Sequence, residues 1–244
     1  MLRVSLASVY RHPSWPFATE VPQSSPPSLL KRVAMAKGLS TKAIFAHGEF
    51  SPDDPQTEWR AETGSDRNMT LVRSFFFLDP KKKSWDVPAG YTIDGASIPR
   101  ALWTLVGSPY TGDYRRASIP HDKACRDALG NKKARKAADR MFYHACRAGG
   151  CSVAEAVLLY LGVRLGSIMP NVLSMREMAA DDVGPRLQLT AEEERLQADY
   201  RQIGTRLRKR HTEDDPEILE TQTDEELEGL YGKAAVQKSW TTAP

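Results

Sequence analysis

Cysteine is scarce in this chain of 244 residues: there are three, Cys125, Cys146 and Cys151. An odd count without metal-finger spacing argues against a disulfide framework and a structural zinc site. Reduced thiols and a cytosolic place of synthesis are the expectation. No apolar run reaches the roughly eighteen residues that a membrane span requires. The N-terminus does not read as a secretory signal, because only a short apolar stretch separates Arg3 from Arg11 and His12. The first forty or so residues are almost free of acid, basic, and rich in Ser and Pro. That composition is shared by transit peptides and disordered arms, and a disordered arm is expected here. The net charge of +3 is too small to name a partner.

What is present is ordinary for a globular protein: 41% hydrophobic and 27% charged residues. The length allows one substantial domain with extensions. The expected division is an irregular extension over 1–46, with a short helix at Leu29 to Lys37, a core domain over 47–168, and a linker with C-terminal helices over 169–244. The fold class is α+β, mainly α. A small antiparallel sheet comes first, from Met69 to Leu78, Trp85 to Val87 and Tyr91 to Ile93. Asp94 to Pro99 is a loop, and Ala101 to Val106 a short helix.

From Arg115 to Gly149 the chain reads as a helical hairpin. Ala117, Ile119, Ala124, Cys125 and Leu129 stripe the first arm, and Gly130-Asn131 breaks it. Ala134, Ala137, Ala138, Met141, Phe142 and Ala145 stripe the second. Lys and Arg outnumber acids along this hairpin, which suggests affinity for lipid or nucleic-acid phosphates, or a solvated face. No stacking aromatics are interleaved with the charges, so specific nucleic-acid binding is not expected. Ser152 and Glu155 form a capping box for a central helix, Val153 to Leu165, apolar nearly all round and closed by Gly166. Thr190 with Glu193, and Thr223 with Glu226, are expected to start two C-terminal helices. These either pack back on the core, which is favoured, or present a face to a protein partner.

The chemistry centres on His121 and Asp122. His121 lies nine residues before Gly130 and Asp139 nine after it, so antiparallel arms bring the two level. Asp139 can then accept a hydrogen bond from one nitrogen of His121, leaving the other as a base. Asp122 points about 100° away round the helix and is expected to be free to bind something else. In the loop, Asp94 and the backbone of Gly95 suit Ca²⁺, although a capped β-turn is the commoner outcome for Asp-Gly.

The stretch from Val87 to Gly166 resembles the phage and bacterial domain of unknown function 1353 family. The residues that carry this are VPAGYTIDGASIPRALW, GSPY, His121-Asp122, Ala137 to Phe142, and Tyr160 to Gly166. The order Asp-Gly-x-Ser, His-Asp and a downstream Asp is more distantly similar to small bacterial secreted phospholipases A₂. That resemblance implies His121 as general base, Asp139 as its orienting acid, and Asp122, Asp94 and Gly95 as Ca²⁺ ligands, acting at a phospholipid surface. The chain departs from it in lacking flanking disulfides and in having Cys125 where a Tyr is usual. A reduced cytosol also holds little Ca²⁺ for a weak site. The expected function is therefore a hydrolase-like site, with Ca²⁺-dependent phospholipid ester hydrolysis as its specific form. The alternative is a non-catalytic phage or prophage assembly protein. Ser97 as a nucleophile ranks below both, for want of a nucleophile elbow.

Overall fold

The structure is a computed structural model that describes residues 46–59, 69–93, 98–106, 113–168 and 189–239. The expected helix at Leu29 to Lys37 and the loop residues Asp94, Gly95 and Ser97 lie outside the described residues.

Among the described residues six short strands come before the first helix: β1 Glu49–Ser51, β2 Thr57–Trp59, β3 Met69–Leu71, β4 Phe75–Leu78, β5 Ser84–Val87 and β6 Thr92–Ile93. They form two three-stranded antiparallel sheets, in the orders β1-β4-β5 and β2-β3-β6, where a single sheet was expected. The reason lies at Val72 to Ser74, where the chain turns through exposed residues and splits the apolar run from Met69 to Leu78. Its halves enter different sheets. In β4, Phe75 and Phe77 face inward by the two-residue period of a strand. The Phe50 ring packs between them, with ring centres 5.7 and 4.9 Å away.

After a 3₁₀ turn at Arg100–Leu102 come α1 Trp103–Val106, α2 Arg115–Asp127 and α3 Lys132–Gly149. The last two are the antiparallel hairpin expected from the sequence. Gly130 turns it at φ 74°, and the Asn131 side chain caps α3 by accepting from the Ala134 N–H. Leu129 leaves the expected stripe, since it is 61% exposed at the turn. Gly149 lets the hairpin's end meet the loop before α2, because a Cβ there would strike the Asp113 carbonyl.

Helix α4, Val153–Ile168, runs two residues past Gly166 and is buried on most sides. Its Ser152–Glu155 capping box is formed. Helices α5 Ala191–Arg210 and α7 Lys233–Ser239 pack back onto it, while α6 Pro216–Tyr231 packs against α3, α5 and α7. Leu196, Tyr200, Ile203, Leu207, Leu219, Leu227 and Val236 share one core with the hairpin. At about 2 kcal/mol per fully buried Leu, this face alone gives ample reason for the helices to dock. Helix α6 starts eight residues earlier than expected. Asp215 caps it and Pro216 opens it, while Thr223 is a buried residue inside it. Among the described residues no helix is long and apolar enough to cross a membrane.

Candidate functional site

The hairpin geometry brings His121 and Asp139 together. His121 Nε2 lies 2.8 Å from Asp139 Oδ1, and both side chains have no exposed surface. An ionised carboxylate only accepts hydrogen bonds, so Nε2 carries the proton and Nδ1 keeps its lone pair. Nδ1 is buried and has no hydrogen-bond partner among the described residues. Phe142 backs the imidazole, with ring centres 4.5 Å apart. Burial pushes the His121 pKa down, overcoming the upward pull of Asp139, so the ring is neutral near pH 7.

Asp139 stands among cations. Arg135, one turn earlier on α3, donates to Oδ1 from Nε at 3.3 Å, and Arg164 from α4 puts Nη1 3.6 Å from Oδ2. Burial alone would raise this carboxyl. Arg135, the His121 hydrogen bond and Arg164 outweigh it and hold the pKa at about 2. Arg135 also donates to Ser167 Oγ at 2.6 Å. The charges continue outward: Arg164 lies 3.5 Å from Asp224 on α6, and Lys136 reaches both Asp224 and Glu220. Arg140 donates to Glu220 at 2.6 Å. A chain of alternating charge thus runs from Asp139 on α3 through α4 to α6. Of the hairpin's basic residues, Arg135, Lys136 and Arg140 face acids within the protein.

Asp122 does not have the freedom expected of it. It is buried, and Arg126 approaches its Oδ2 to 3.3 Å one turn on. Helix periodicity sent it away from His121 as anticipated, but toward a guanidinium of its own helix. Asp94 and Gly95, its expected partners around Ca²⁺, lie outside the described residues. One carboxylate already balanced by a guanidinium does not fit a cation that takes six to eight oxygens.

Cys125 Sγ sits 3.3 Å from His121 Nε2, so His121, Cys125 and Asp139 offer three donors of metal-ligand type. A metal there would have to displace the 2.8 Å His121–Asp139 bond and sit beside two guanidiniums. Burial also pushes the Cys125 thiol well up, away from the thiolate that metals bind. All three cysteines are buried free thiols.

Arg135, Arg164 and Ser167 were not singled out from the sequence. Arg164 was findable, because it is the lone charge between Ala156 and Ile168 in a helix apolar all round. Such a charge must be paired.

Residues 69–163 match the family described as protein of unknown function (DUF1353), the family whose motifs the sequence displays. The uncharacterized protein y4jT of Sinorhizobium fredii (strain NBRC 101917 / NGR234) is 40% identical over 95 residues, covering 38% of this chain and 27% of that protein. The uncharacterized protein y4iH of the same strain is 31% identical over 113 residues, covering 44% and 46%. The chain thus spans between about a quarter and a half of the length of these curated relatives. No solved structure matches it. His121, Cys125, Arg135 and Asp139 all fall inside the matched segment, whereas Arg164, Glu220 and Asp224 lie beyond it.

Proposed function

We propose that this chain is a hydrolase-type bacterial or phage protein in which His121, oriented by Asp139, is the general base for ester hydrolysis, with phospholipid as the substrate class. The observation that carries this is the unpartnered Nδ1 of His121. A buried polar atom without a partner costs about 1–3 kcal/mol, and a lone pair kept for a substrate proton accounts for that cost. The dyad supplies what a base requires: a set tautomer, a neutral ring near pH 7, and a carboxylate beside the imidazolium that forms. In the step, a water O–H proton moves to Nδ1 and the hydroxide adds to the ester carbonyl. The proton then passes to the departing alkoxide. His121 is fully buried, so substrate reaches Nδ1 only when the side chains packed over it move aside. No step is taken through Ca²⁺, because the described donors do not fit it.

The same burial favours a second reading, a non-catalytic phage or prophage assembly protein in which the network is a core lock. Fatty-acid release from anionic phospholipid vesicles separates the two. It is measured with millimolar Ca²⁺ and with chelator, on wild type, His121→Gln and Asp122→Asn. The hydrolase reading expects release by wild type that His121→Gln abolishes while remaining folded. Loss in chelator and in Asp122→Asn would add the cation to the site. No release under either condition would overturn the reading in favour of the lock.

A further inference from the structure

A second cluster lies where three separate parts of the chain meet. His47 precedes β1, Tyr143, His144 and Arg147 lie on α3, and Asp214 is in the turn before α6. Asp214 is firmly held: Tyr143 donates to Oδ1 at 2.8 Å, and Arg147 reaches both oxygens at 2.7 to 3.1 Å. His47 Nε2 lies 2.9 Å from Asp214 Oδ2, and His47 Nδ1 lies 3.0 Å from His144 Nδ1.

These contacts determine where the protons sit. Asp214 can only accept, so His47 Nε2 donates. A neutral His47 then presents a lone pair at Nδ1, and His144 Nδ1 must donate to it. That leaves the lone pair of His144 on Nε2. Among the described residues this nitrogen has no partner, and it is not one of the buried unpartnered polar atoms, so it meets solvent. A metal bridging the two Nδ1 atoms would need both lone pairs to converge from the side. The ring centres are 5.3 Å apart and the nitrogens 3.0 Å, a difference taken up by the two ring radii. The nitrogens therefore lie close to the line between the rings, as in a hydrogen bond and not in a chelate.

We propose that Asp214, His47 and His144 form a second proton-handling site, distinct from His121, with His144 Nε2 as general base toward water attacking a small ester. A water O–H bond breaks and its proton bonds to His144 Nε2. The proton on His144 Nδ1 passes to His47 Nδ1, which leaves His47 an imidazolium against the Asp214 carboxylate. The hydroxide adds to the ester carbonyl, and the leaving oxygen takes the proton back through the same relay.

The relay overcomes the weakness of His144 as a base. Burial, then His47, push its pKa down to about 4, against the opposing pull of Asp79, Asp214 and Asp215. Of the groups facing the relay, Tyr143 is held protonated by burial and Asp214, and Arg147 is ion-paired to Asp214. Handing the proton inward places the positive charge at His47, beside a carboxylate held ionised chiefly by its hydrogen bonds from His47, Arg147 and Tyr143 against the cost of burial.

The test uses p-nitrophenyl acetate hydrolysis by the full chain, together with side-chain ¹⁵N NMR. The expectation is turnover that His144→Gln lowers at least tenfold. His47→Gln keeps the outer imidazole, yet should also lose most of the rate. In wild type, His144 should show the Nδ1–H tautomer and His47 the Nε2–H tautomer, a reading that needs no variant to fold. Wild-type rates in either variant, or a His144 protonated on Nε2 at neutral pH, would overturn the proposal.

Discussion

Replacing Asp139 with Asn removes one charge and almost no volume. The amide can still accept from His121 Nε2 and from Arg135 Nε, which stand 2.8 and 3.3 Å away. What it cannot do is balance Arg135 and Arg164, whose side chains are 1% and 0% exposed. Removing one partner from a buried ionic group costs about 3–5 kcal/mol, because the opposite charge is left without compensation. Two cations are stranded here, which points to the upper end. Asp224, 3.5 Å from Arg164, offsets part of that. A loss of about 4 kcal/mol is therefore expected. At roughly 2–4 °C per kcal/mol for a chain of this size, that lowers the melting temperature by about 8–16 °C. Thermal and urea unfolding followed by circular dichroism give the number. Asp86→Asn is the reference: Asp86 is exposed and accepts from Ser84 Oγ, so it should stay within about 0.5 kcal/mol of wild type. An Asp139→Asn protein that melts within about 2 °C of wild type would refute the claim that this carboxylate holds the two arginines in the core.

Glu220→Ala should loosen α6, since it removes the acceptor of Lys136 and Arg140; a cost of about 2 kcal/mol and faster amide exchange across 216–231 are expected. Gly149→Ala drives a Cβ into the Asp113 carbonyl, so a loss of about 1–3 kcal/mol in thermal melting follows. Stability should fall on acidification in two stages. The folded pKa of His121 lies below its ordinary 6.5, so its contribution is complete above that pH and declines as pH drops beneath it. Asp139, held at about 2 against an ordinary 3.8, begins to lose its contribution only below 3.8. Urea unfolding of wild type and His121→Asn between pH 7 and 4 checks this, with a shallower decline expected for the variant.

The hairpin was legible because its signals are local. Gly130-Asn131 breaks the pattern, three- and four-residue spacing marks both arms, and counting from the bend puts His121 level with Asp139. The capping boxes at Ser152 and Thr190 are local in the same way. The start of α6 was misplaced because Thr223 and Glu226 satisfy the same pattern, whereas Asp215-Pro216 carries the stronger pair of cap and opening proline. The splitting of the strands between two sheets was hidden, since it depends on pairings such as Phe50 with Phe77 that local patterning does not set. Arg135 looks like a surface residue of a basic helix until the neighbouring helices close around it, whereas Arg164 stands out as a lone charge in an apolar helix. Asp122 shows the limit of periodicity, which gives a side chain's direction but not the Arg126 waiting there. The Asp214 relay was beyond reach, because Asp214 and His47 are 167 residues apart.

The base role of His121 depends on which of its nitrogens holds the proton, and side-chain ¹⁵N NMR at neutral pH reads this directly. The expected spectrum has a proton on Nε2, donated to Asp139, and an unprotonated Nδ1 on a neutral ring. A proton on Nδ1, or an imidazolium at pH 7, would contradict the base role of His121, because no lone pair would then remain on Nδ1.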